Sequence, residues 1–82
     1  MVKVSFSEKF ENIFSKIKDS SFKERTIKKI SKIKENPEVG KPMMYERKWT
    51  REVYIGSFRL AYAYLHHENK VIILDLYHKD EQ

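Results

Sequence analysis

The chain has 82 residues, a formal net charge of +5 and no cysteine. This length predicts one domain over residues 1–82, near the lower end of the sizes that support an independent hydrophobic core. Without cysteine, disulfides, thiol catalysis and cysteine-type zinc sites are excluded. No apolar run reaches membrane-spanning length and the N-terminus has no signal-peptide pattern, so we expect a cytoplasmic protein. The excess of Lys and Arg favours a polyanionic partner, either nucleic acid or an acidic protein.

The N-terminal segment predicts a strand followed by a helix. Residues 2–6 alternate between apolar and polar side chains, which is typical of a strand. Ser7 is a candidate N-cap for the helix that follows. The helical stripe of apolar side chains consists of Phe10, Ile13, Phe14 and Ile17.

A second helix is predicted to begin at the capping box Ser21-x-x-Glu24 and to end at Asn36-Pro37, because the residue before a proline avoids helical angles. Its inward apolar residues are Ile27, Ile30 and Ile33, and its exposed basic residues are Lys23, Arg25, Lys28, Lys29, Lys32 and Lys34. We interpret the basic surface as a solvated face, since lysine is a flexible point charge and no aromatic residue is interleaved to stack on bases. In the connector that follows, a short strand is expected near residues 45–48.

Residues 51–64 predict a hairpin whose turn is Gly56-Ser57, the shortest connection between two strands. This turn fixes the pairs Ile55–Phe58, Tyr54–Arg59, Val53–Leu60 and Glu52–Ala61. Because side chains alternate across a pleated sheet, the pairs divide into two faces. The core face carries Val53, Ile55, Phe58, Leu60 and Tyr62, and the polar face carries Glu52, Tyr54 and Arg59 beside Ala61 and Ala63.

The run from Val71 to Tyr77 predicts a last interior strand, with two alternative registers. A two-residue turn at Glu68-Asn69 sets His78 opposite Arg59 but sends Asp75 into the core, where an unpaired carboxylate is costly. A three-residue turn over residues 68–70 is therefore preferred. It puts Ile73, Asp75, Tyr77 and Lys79 on the Arg59 face, and Ile72, Leu74 and Leu76 in the core. Either register brings the His78-Lys79 end beside Arg59.

The polar face of the hairpin has the residue types that metal-free RNA cleavage requires. Arg59 is suited to bind two phosphate oxygens. Glu52 or His78 is the candidate base that deprotonates a 2′-hydroxyl, and His78, Tyr54 or Lys79 is the candidate acid for the leaving oxygen. The alternative, which spacing alone favours, is a cross-strand Glu–Arg pair packed by a tyrosine.

No nucleotide-binding glycine loop, nucleophile elbow or metal-binding helix motif is present in the sequence. His66 and His67 are adjacent at a strand end and therefore point to opposite faces, which is poor geometry for one ion. The sequence predicts neither a metal nor a cofactor. The element order β-α-α-β-β-β predicts an α+β fold, with both helices on one face of a mainly antiparallel sheet.

Three segments carry a family resemblance: Gly40-Lys41-Pro42, the strand from Tyr54 to Tyr62 after a tight glycine turn, and the closing run from Leu74 to Lys79. Together they resemble the RelE/ParE superfamily of toxins from type II toxin–antitoxin modules, over nearly the whole chain. The resemblance implies a RelE-like fold. It also implies that Arg59 is the phosphate-binding arginine and that His78 and Lys79 are catalytic or phosphate-contacting residues.

The resemblance leads to three hypotheses. The first is a ribosome-dependent mRNA endonuclease, silenced by an acidic, RelB-like antitoxin in a hetero-oligomer. Its further phosphate contacts to rRNA or mRNA would be Lys41, Arg47, Lys48 and Arg51, reading no sequence. The second is a ParE-like gyrase inhibitor, or a member without catalysis that only binds its antitoxin; it is favoured because Glu52 and Tyr54 stand where RelE proper has basic residues. The third is a small basic RNA-binding protein whose polar face is merely surface.

Overall fold

A computed structural model of the chain describes residues 2–43 and 49–81. Its elements are β1 (Lys3–Phe6), α1 (Glu8–Ser15), α2 (Ser20–Glu35), β2 (Lys41–Pro42), β3 (Thr50–Ile55), β4 (Phe58–Leu65) and β5 (Lys70–His78). The five strands form one sheet in the order β1-β5-β4-β3-β2, in which only β1 and β5 are parallel. The predicted α+β fold is therefore confirmed, while the strand expected near residues 45–48 lies outside the described residues. Within the described ranges, no helix is both long and apolar enough to cross a membrane.

The start of α1 is fixed by Ser7, as predicted. The Ser7 hydroxyl accepts a hydrogen bond from the backbone N–H of Phe10 at 3.0 Å, which satisfies one of the free N–H groups of the first turn. The same hydroxyl donates to the carbonyl oxygen of Leu74 in β5 at 2.6 Å. One side chain therefore caps α1 and attaches it to the sheet.

The start of α2 differs from the prediction. The Asp19 carboxylate accepts the backbone N–H groups of Ser21 at 2.9 Å and Phe22 at 3.2 Å, so Asp19 is the N-cap. The capping box predicted at Ser21 and Glu24 is wrong, because a carboxylate two residues earlier already occupies the N–H groups of the first turn. The helix ends at Glu35, directly before Asn36-Pro37, as predicted.

The core lies between the helices and one face of the sheet. Its buried apolar residues are Val2, Phe10, Ile33, Val53, Ile55, Leu60, Tyr62, Val71, Ile73 and Leu76. The inward side of α2 carries Thr26, which is fully buried and whose hydroxyl donates to the carbonyl of Phe22 at 2.9 Å. Ile27, predicted to point inward, is 53% exposed because it lies about 100° around the helix from Thr26.

The hairpin of β3 and β4 has the predicted register, from Ile55 opposite Phe58 to Glu52 opposite Ala61. Gly56 has a φ of 59° and Ser57 has a negative φ, which is the pattern of a type II′ turn. The turn between β4 and β5 is different from both predicted turns. It is a 3₁₀ turn over His66–Glu68, closed by a left-handed Asn69.

The pairing of β4 with β5 contains a β-bulge that neither predicted register included. Tyr62 pairs with Ile73, but Ala61, the residue before Tyr62 in β4, pairs with Asp75. Leu74 is therefore the extra residue of the bulged strand. An extra residue shifts the alternation of side chains by one position, so the two halves of β5 present opposite sets of residues to the core.

Because of the bulge, the preferred register assigns the correct faces to one half of β5 and the wrong faces to the other half. Beyond the bulge the register's face assignment is confirmed: Asp75 and Tyr77 lie on the Arg59 face, and Leu76 is buried in the core. Before the bulge it is wrong for Ile72, Ile73 and Leu74. Ile73 is fully buried in the core, Ile72 shares the opposite face with its partner Ala63, and Leu74 belongs to neither alternation.

Candidate active site on the open face of the sheet

Three side chains form a row across the face of the sheet that the helices leave open. Tyr54 of β3 is opposite Arg59 of β4, which is opposite Tyr77 of β5. Because cross-strand partners lie on the same face, the arginine stands between two tyrosines. The guanidinium carbon of Arg59 lies 3.8 Å from the centroid of the Tyr54 ring, a close cation–π contact.

The guanidinium of Arg59 has only weak partners of its own. Its Nη1 donates to the carbonyl oxygens of Gly56 at 3.3 Å and Phe58 at 3.2 Å, at the long end of hydrogen-bond distances. No ion pair between described residues involves Arg59. The stacked ring holds the plane of the guanidinium, so its other N–H groups can bind an oxyanion in a fixed orientation.

A second row lies one step further from the hairpin turn and contains Glu52, Ala61 and Asp75, with Lys41 of β2 opposite Glu52. The two rows are connected by the Tyr77 hydroxyl, which donates to Oε2 of Glu52 at 2.8 Å. Asp75 pairs with Lys9 of α1 at 3.0 Å. A carboxylate and a phenol, groups that can transfer a proton, are therefore joined on the same face as Arg59, whose Nη1 lies at the hairpin turn.

His78 is not brought onto this face, and Lys79 follows the end of β5, where its backbone N–H donates to the carbonyl of Ser57 in the hairpin turn at 2.9 Å. His78 is opposite Phe58, and its ring contacts the Phe58 ring edge-on at 5.2 Å on the side of the sheet that α2 covers. Its Nδ1 accepts the backbone N–H of Asp80 at 3.2 Å. The prediction that both registers bring this end beside Arg59 is wrong for His78, because the bulge moves Tyr77 into the position opposite the arginine.

The four predicted phosphate-binding residues have different placements. Lys41 is exposed on the open face. Arg51 is opposite the core residue Tyr62, and its Nη1 donates to the carbonyls of Gly40 at 2.7 Å and Glu38 at 3.1 Å. Its guanidinium therefore anchors the segment that precedes β2. The remaining two, Arg47 and Lys48, lie outside the described residues.

The same segment is fixed from the core by Tyr62, which is fully buried. Its hydroxyl accepts from the N–H of Gly40 at 2.8 Å and donates to the carbonyl of Pro37 at 2.7 Å. Burial raises the pKa of the Tyr62 phenol, and this effect exceeds the lowering by the Gly40 hydrogen bond and the Arg51 charge. The phenol therefore stays neutral and rigidly bonded, and it holds β2 next to Glu52.

Sequence reasoning gave no role to Tyr77, although the preferred register already placed it on the Arg59 face. Counting residues from Arg59 to the end of β5 could indicate which residue of β5 lies opposite Arg59. The count gives Tyr77 only when the extra residue of the bulge is included. The contact between Tyr77 and Glu52 joins strands that are not neighbours in the sheet, so it follows only from the folded arrangement.

One comparison shows the family of this chain and another shows its fold. Residues 3–82 match the family model of the ParE toxin of type II toxin–antitoxin systems. Solved structures with the same fold include the toxin–antitoxin complex RelBE of E. coli, with a TM-score of 0.82, 18% identity, and 95% of this chain and 96% of that chain covered. The RelBE2 complex of Mycobacterium tuberculosis has a TM-score of 0.80 and 23% identity, covering 94% and 96%. The archaeal RelE–RelB complex of Pyrococcus horikoshii has a TM-score of 0.77 and 11% identity, with 99% of this chain and 98% of that chain covered. The search of curated proteins found no match.

Proposed function

We propose that this chain, which belongs to the family of ParE toxins of type II toxin–antitoxin systems, arrests translation by cutting mRNA on the ribosome. The family match shows a toxin of a type II toxin–antitoxin system, and its target and its reaction are what we propose. The observation that carries it is the hydrogen bond of 2.8 Å between Tyr77, which lies in the row of Arg59, and Glu52, which lies in the next row. Cleavage of RNA without a metal needs these three functions: a base, a proton donor and a cation for the phosphate.

In the proposed reaction, Arg59 holds two non-bridging oxygens of the scissile phosphate and stabilises the charge that develops on them. The Glu52 carboxylate takes the proton of the adjacent 2′-hydroxyl. The 2′-oxygen then forms a bond to phosphorus while the bond from phosphorus to the 5′-oxygen breaks. A phenol of Tyr77 or Tyr54 donates the proton to the leaving 5′-oxygen. The products are a 2′,3′-cyclic phosphate and a 5′-hydroxyl end.

This assignment keeps Glu52 and Arg59 in the predicted roles and gives the role of acid to a tyrosine. The reason is distance across the sheet. His78 contacts Phe58 under α2, whereas Tyr54 and Tyr77 flank Arg59 on its own face. A proton donor must be within hydrogen-bond reach of the leaving oxygen, and that oxygen stays on the side where the phosphate is bound.

The solved complexes of RelE-fold toxins support an antitoxin as partner of this chain. We further propose that the antitoxin is acidic, since the toxin carries a net charge of +5, and that free toxin acts in the cytoplasm where ribosomes translate. Lys41 on the open face adds a cation beside the site and is proposed to contact rRNA or mRNA phosphates without reading bases.

The test is inducible expression of the chain, followed by primer extension on a translated message and on the same message without ribosomes. We expect growth arrest, cleavage inside the reading frame only when ribosomes are present, and 5′-hydroxyl ends. The matched control is Glu52→Gln, which keeps the size of the side chain and its hydrogen bond to Tyr77 but removes the base. If expression of the wild-type chain arrests growth while the mRNA stays intact, the proposal of mRNA cleavage fails.

A second candidate function is inhibition of DNA gyrase, or antitoxin binding without catalysis. One observation favours it, namely that the matching family model is that of the ParE toxin. A supercoiling assay with purified gyrase separates the candidates. Inhibition at equimolar toxin, unaffected by Glu52→Gln, would support the gyrase proposal and leave the open face without a catalytic role.

A further inference from the structure

Cations from three elements converge on the tip of the hairpin at Gly56-Ser57. The guanidinium of Arg25 in α2 packs against Gly56, because a Cβ added to this glycine would lie 3.2 Å from its Nη2. On the opposite side, Nη1 of Arg59 contacts the carbonyl of Gly56 at 3.3 Å. The backbone N–H of Lys79 donates to the carbonyl of Ser57 at 2.9 Å, so its exposed side chain begins at the same tip.

These positive charges have no carboxylate partner within the described residues. Lys9 pairs there with Asp75, and the Asp80 carboxylate lies beside Nδ1 of His78. Asp80 is the acidic residue next to Lys79, and it faces His78 at 3.5 Å. The chain has twelve acidic residues, yet no described carboxylate forms an ion pair with Arg25, Arg59 or Lys79. Like charges brought together repel one another, so their convergence points to an anionic ligand that is absent from the free protein.

The turn itself is shaped for a close approach of this ligand. Gly56 has no side chain and a φ of 59°, which L-residues rarely adopt. The turn therefore has a low profile, and Arg25 and Arg59 lie on either side of the same peptide. Their guanidinium nitrogens are within about 10 Å of one another, from the contacts of each with Gly56.

We propose that Arg25 extends the phosphate contact that the family resemblance implies for Lys79 into a second subsite, which holds the phosphodiester backbone of an RNA strand beyond the phosphate at Arg59. The strand runs from the open face over the hairpin tip towards α2. This inference rests on the proposed function, because it treats the ligand as the RNA that is cut. It also separates Arg25 from the lysines of α2, which remain a solvated face.

The test measures binding without cleavage. A fluorescein-labelled oligoribonucleotide with 2′-O-methyl groups cannot be cut, and its anisotropy is followed over a series of salt concentrations. Arg25→Gln and Lys79→Gln are each expected to weaken binding about fivefold at low salt and to reduce the slope of log K against log salt by about 0.7, the value for one phosphate contact to a single strand. Arg25→Lys should retain most of the slope.

The matched control is Lys34→Gln, which removes the same charge from the same helix. Lys34 is exposed and lies on the opposite side of α2 from Arg25. Its replacement should leave the slope unchanged, and circular dichroism melts should show the fold of every variant to be intact. Equal effects of Arg25→Gln and Lys34→Gln would overturn the subsite, since only net charge would then matter. An unchanged slope in Arg25→Gln would overturn it as well.

Failure of the subsite and failure of the proposed function give different results. If the RNA on the ribosome is not cut but the oligoribonucleotide binds with an Arg25-dependent slope, the subsite stands and the endonuclease proposal fails. If the RNA is cut and the slope does not depend on Arg25, the endonuclease stands and the subsite fails. Loss of affinity for an acidic peptide alone, with RNA binding unchanged, would also contradict the subsite.

Discussion

The two faces of the central hairpin use the same residue types for different purposes. On the covered face, Arg51 and Tyr62 lie opposite each other and both bond to the backbone of the segment before β2. On the open face, Arg59 and Tyr54 also lie opposite each other, but the guanidinium stacks on the ring and makes only long contacts of 3.2–3.3 Å. The same pair of residue types is a structural clamp on one face and a candidate ligand site on the other.

What separates the two faces is whether the polar atoms already have partners. The Tyr62 hydroxyl both accepts and donates within the protein, and no further ligand can reach it because the residue is fully buried. Tyr54 is 46% exposed, and the hydrogen bonds of the Arg59 guanidinium to described residues are two long ones from Nη1 to backbone carbonyls. The presence of an arginine and a tyrosine therefore does not by itself mark a site in this fold. What matters is whether each residue has an odd or an even position along its strand, because that decides which face its side chain occupies.

The largest contrast is expected between Arg59→Ala and Arg51→Ala. Loss of Arg59 should lower ribosome-dependent cleavage at least a hundredfold, about 2.7 kcal/mol, because it removes the cation that stabilises the phosphate charge. Stability should change by less than about 1 kcal/mol. Arg51→Ala should instead destabilise the fold by about 1–2 kcal/mol through two lost hydrogen bonds to carbonyls. Single-turnover cleavage and urea unfolding of both variants measure this, and the reverse pattern would contradict the division between the faces.

Gly40→Ala tests the clamp on the covered face by steric conflict. A Cβ at this position would lie 2.5 Å from the Tyr62 hydroxyl oxygen and 3.0 Å from the carbonyl oxygen of Glu52. Tyr62 is packed on all sides, so it cannot move without loss of core contacts. We expect a loss of about 2–3 kcal/mol in urea unfolding. Val39→Ala, at an exposed neighbouring position, serves as the control and should change stability by less than about 0.5 kcal/mol.

Tyr62→Phe tests the same clamp by removing one oxygen atom. The Gly40 N–H and the Pro37 carbonyl each lose a partner, and we expect a loss of about 1–2 kcal/mol. The effect should also depend on pH. Since the pKa of Tyr62 is raised in the folded state, the unfolded chain releases this proton first, and its contribution to stability is complete below the ordinary tyrosine pKa. Stability should therefore fall as pH rises above about 10.

The comparison of wild type with Tyr62→Phe isolates that pH effect, because other tyrosines and the lysines titrate in both proteins. Unfolding free energies are measured between pH 8 and pH 11. The difference between the two proteins should shrink as pH rises, since only the wild type loses stability through Tyr62. A difference that stays constant or grows over this range would show that burial does not raise the pKa of this phenol.

The smallest effect is expected for Tyr77→Phe on the open face. It removes the hydrogen bond to Glu52 and leaves the ring beside Arg59. Cleavage should fall about tenfold, or about 1.4 kcal/mol, while stability changes by less than about 1 kcal/mol. Equal loss of activity and stability would place Tyr77 with the clamp residues rather than with the site.

The hairpin could be predicted residue by residue, because its register depends on a local signal. A two-residue Gly56-Ser57 turn leaves one way to pair the strands, and the apolar alternation then chooses the face. Ser7 as an N-cap is equally local. The family resemblance, in contrast, was needed to give Arg59 a role, since a Glu–Arg pair and a phosphate site have the same spacing in sequence.

The parts that could not be predicted depend on competition between local groups in one case and on a distant contact in the other. The cap of α2 was misplaced because two local motifs overlapped and the carboxylate of Asp19 was the one that formed. The register of β5 was missed because the bulge at Leu74 is bonded to Ser7, 67 residues away in sequence. The position of His78 followed from that register, and with it the composition of the candidate site.

Because of the bulge at Leu74, the residues of β5 that form the core and those that form the site can be substituted independently. Before it, β5 gives its odd-numbered residues Val71 and Ile73 to the interior; after it, the even-numbered Leu76 points inward and Tyr77 outward. If β5 kept Leu74 but paired with β4 without the bulge, one alternation would run through both stretches and force either Ile73 out of the core or Tyr77 off the Arg59 face. Substitutions at Asp75 and Tyr77 can therefore alter the chemistry of the open face while the packing below it is kept.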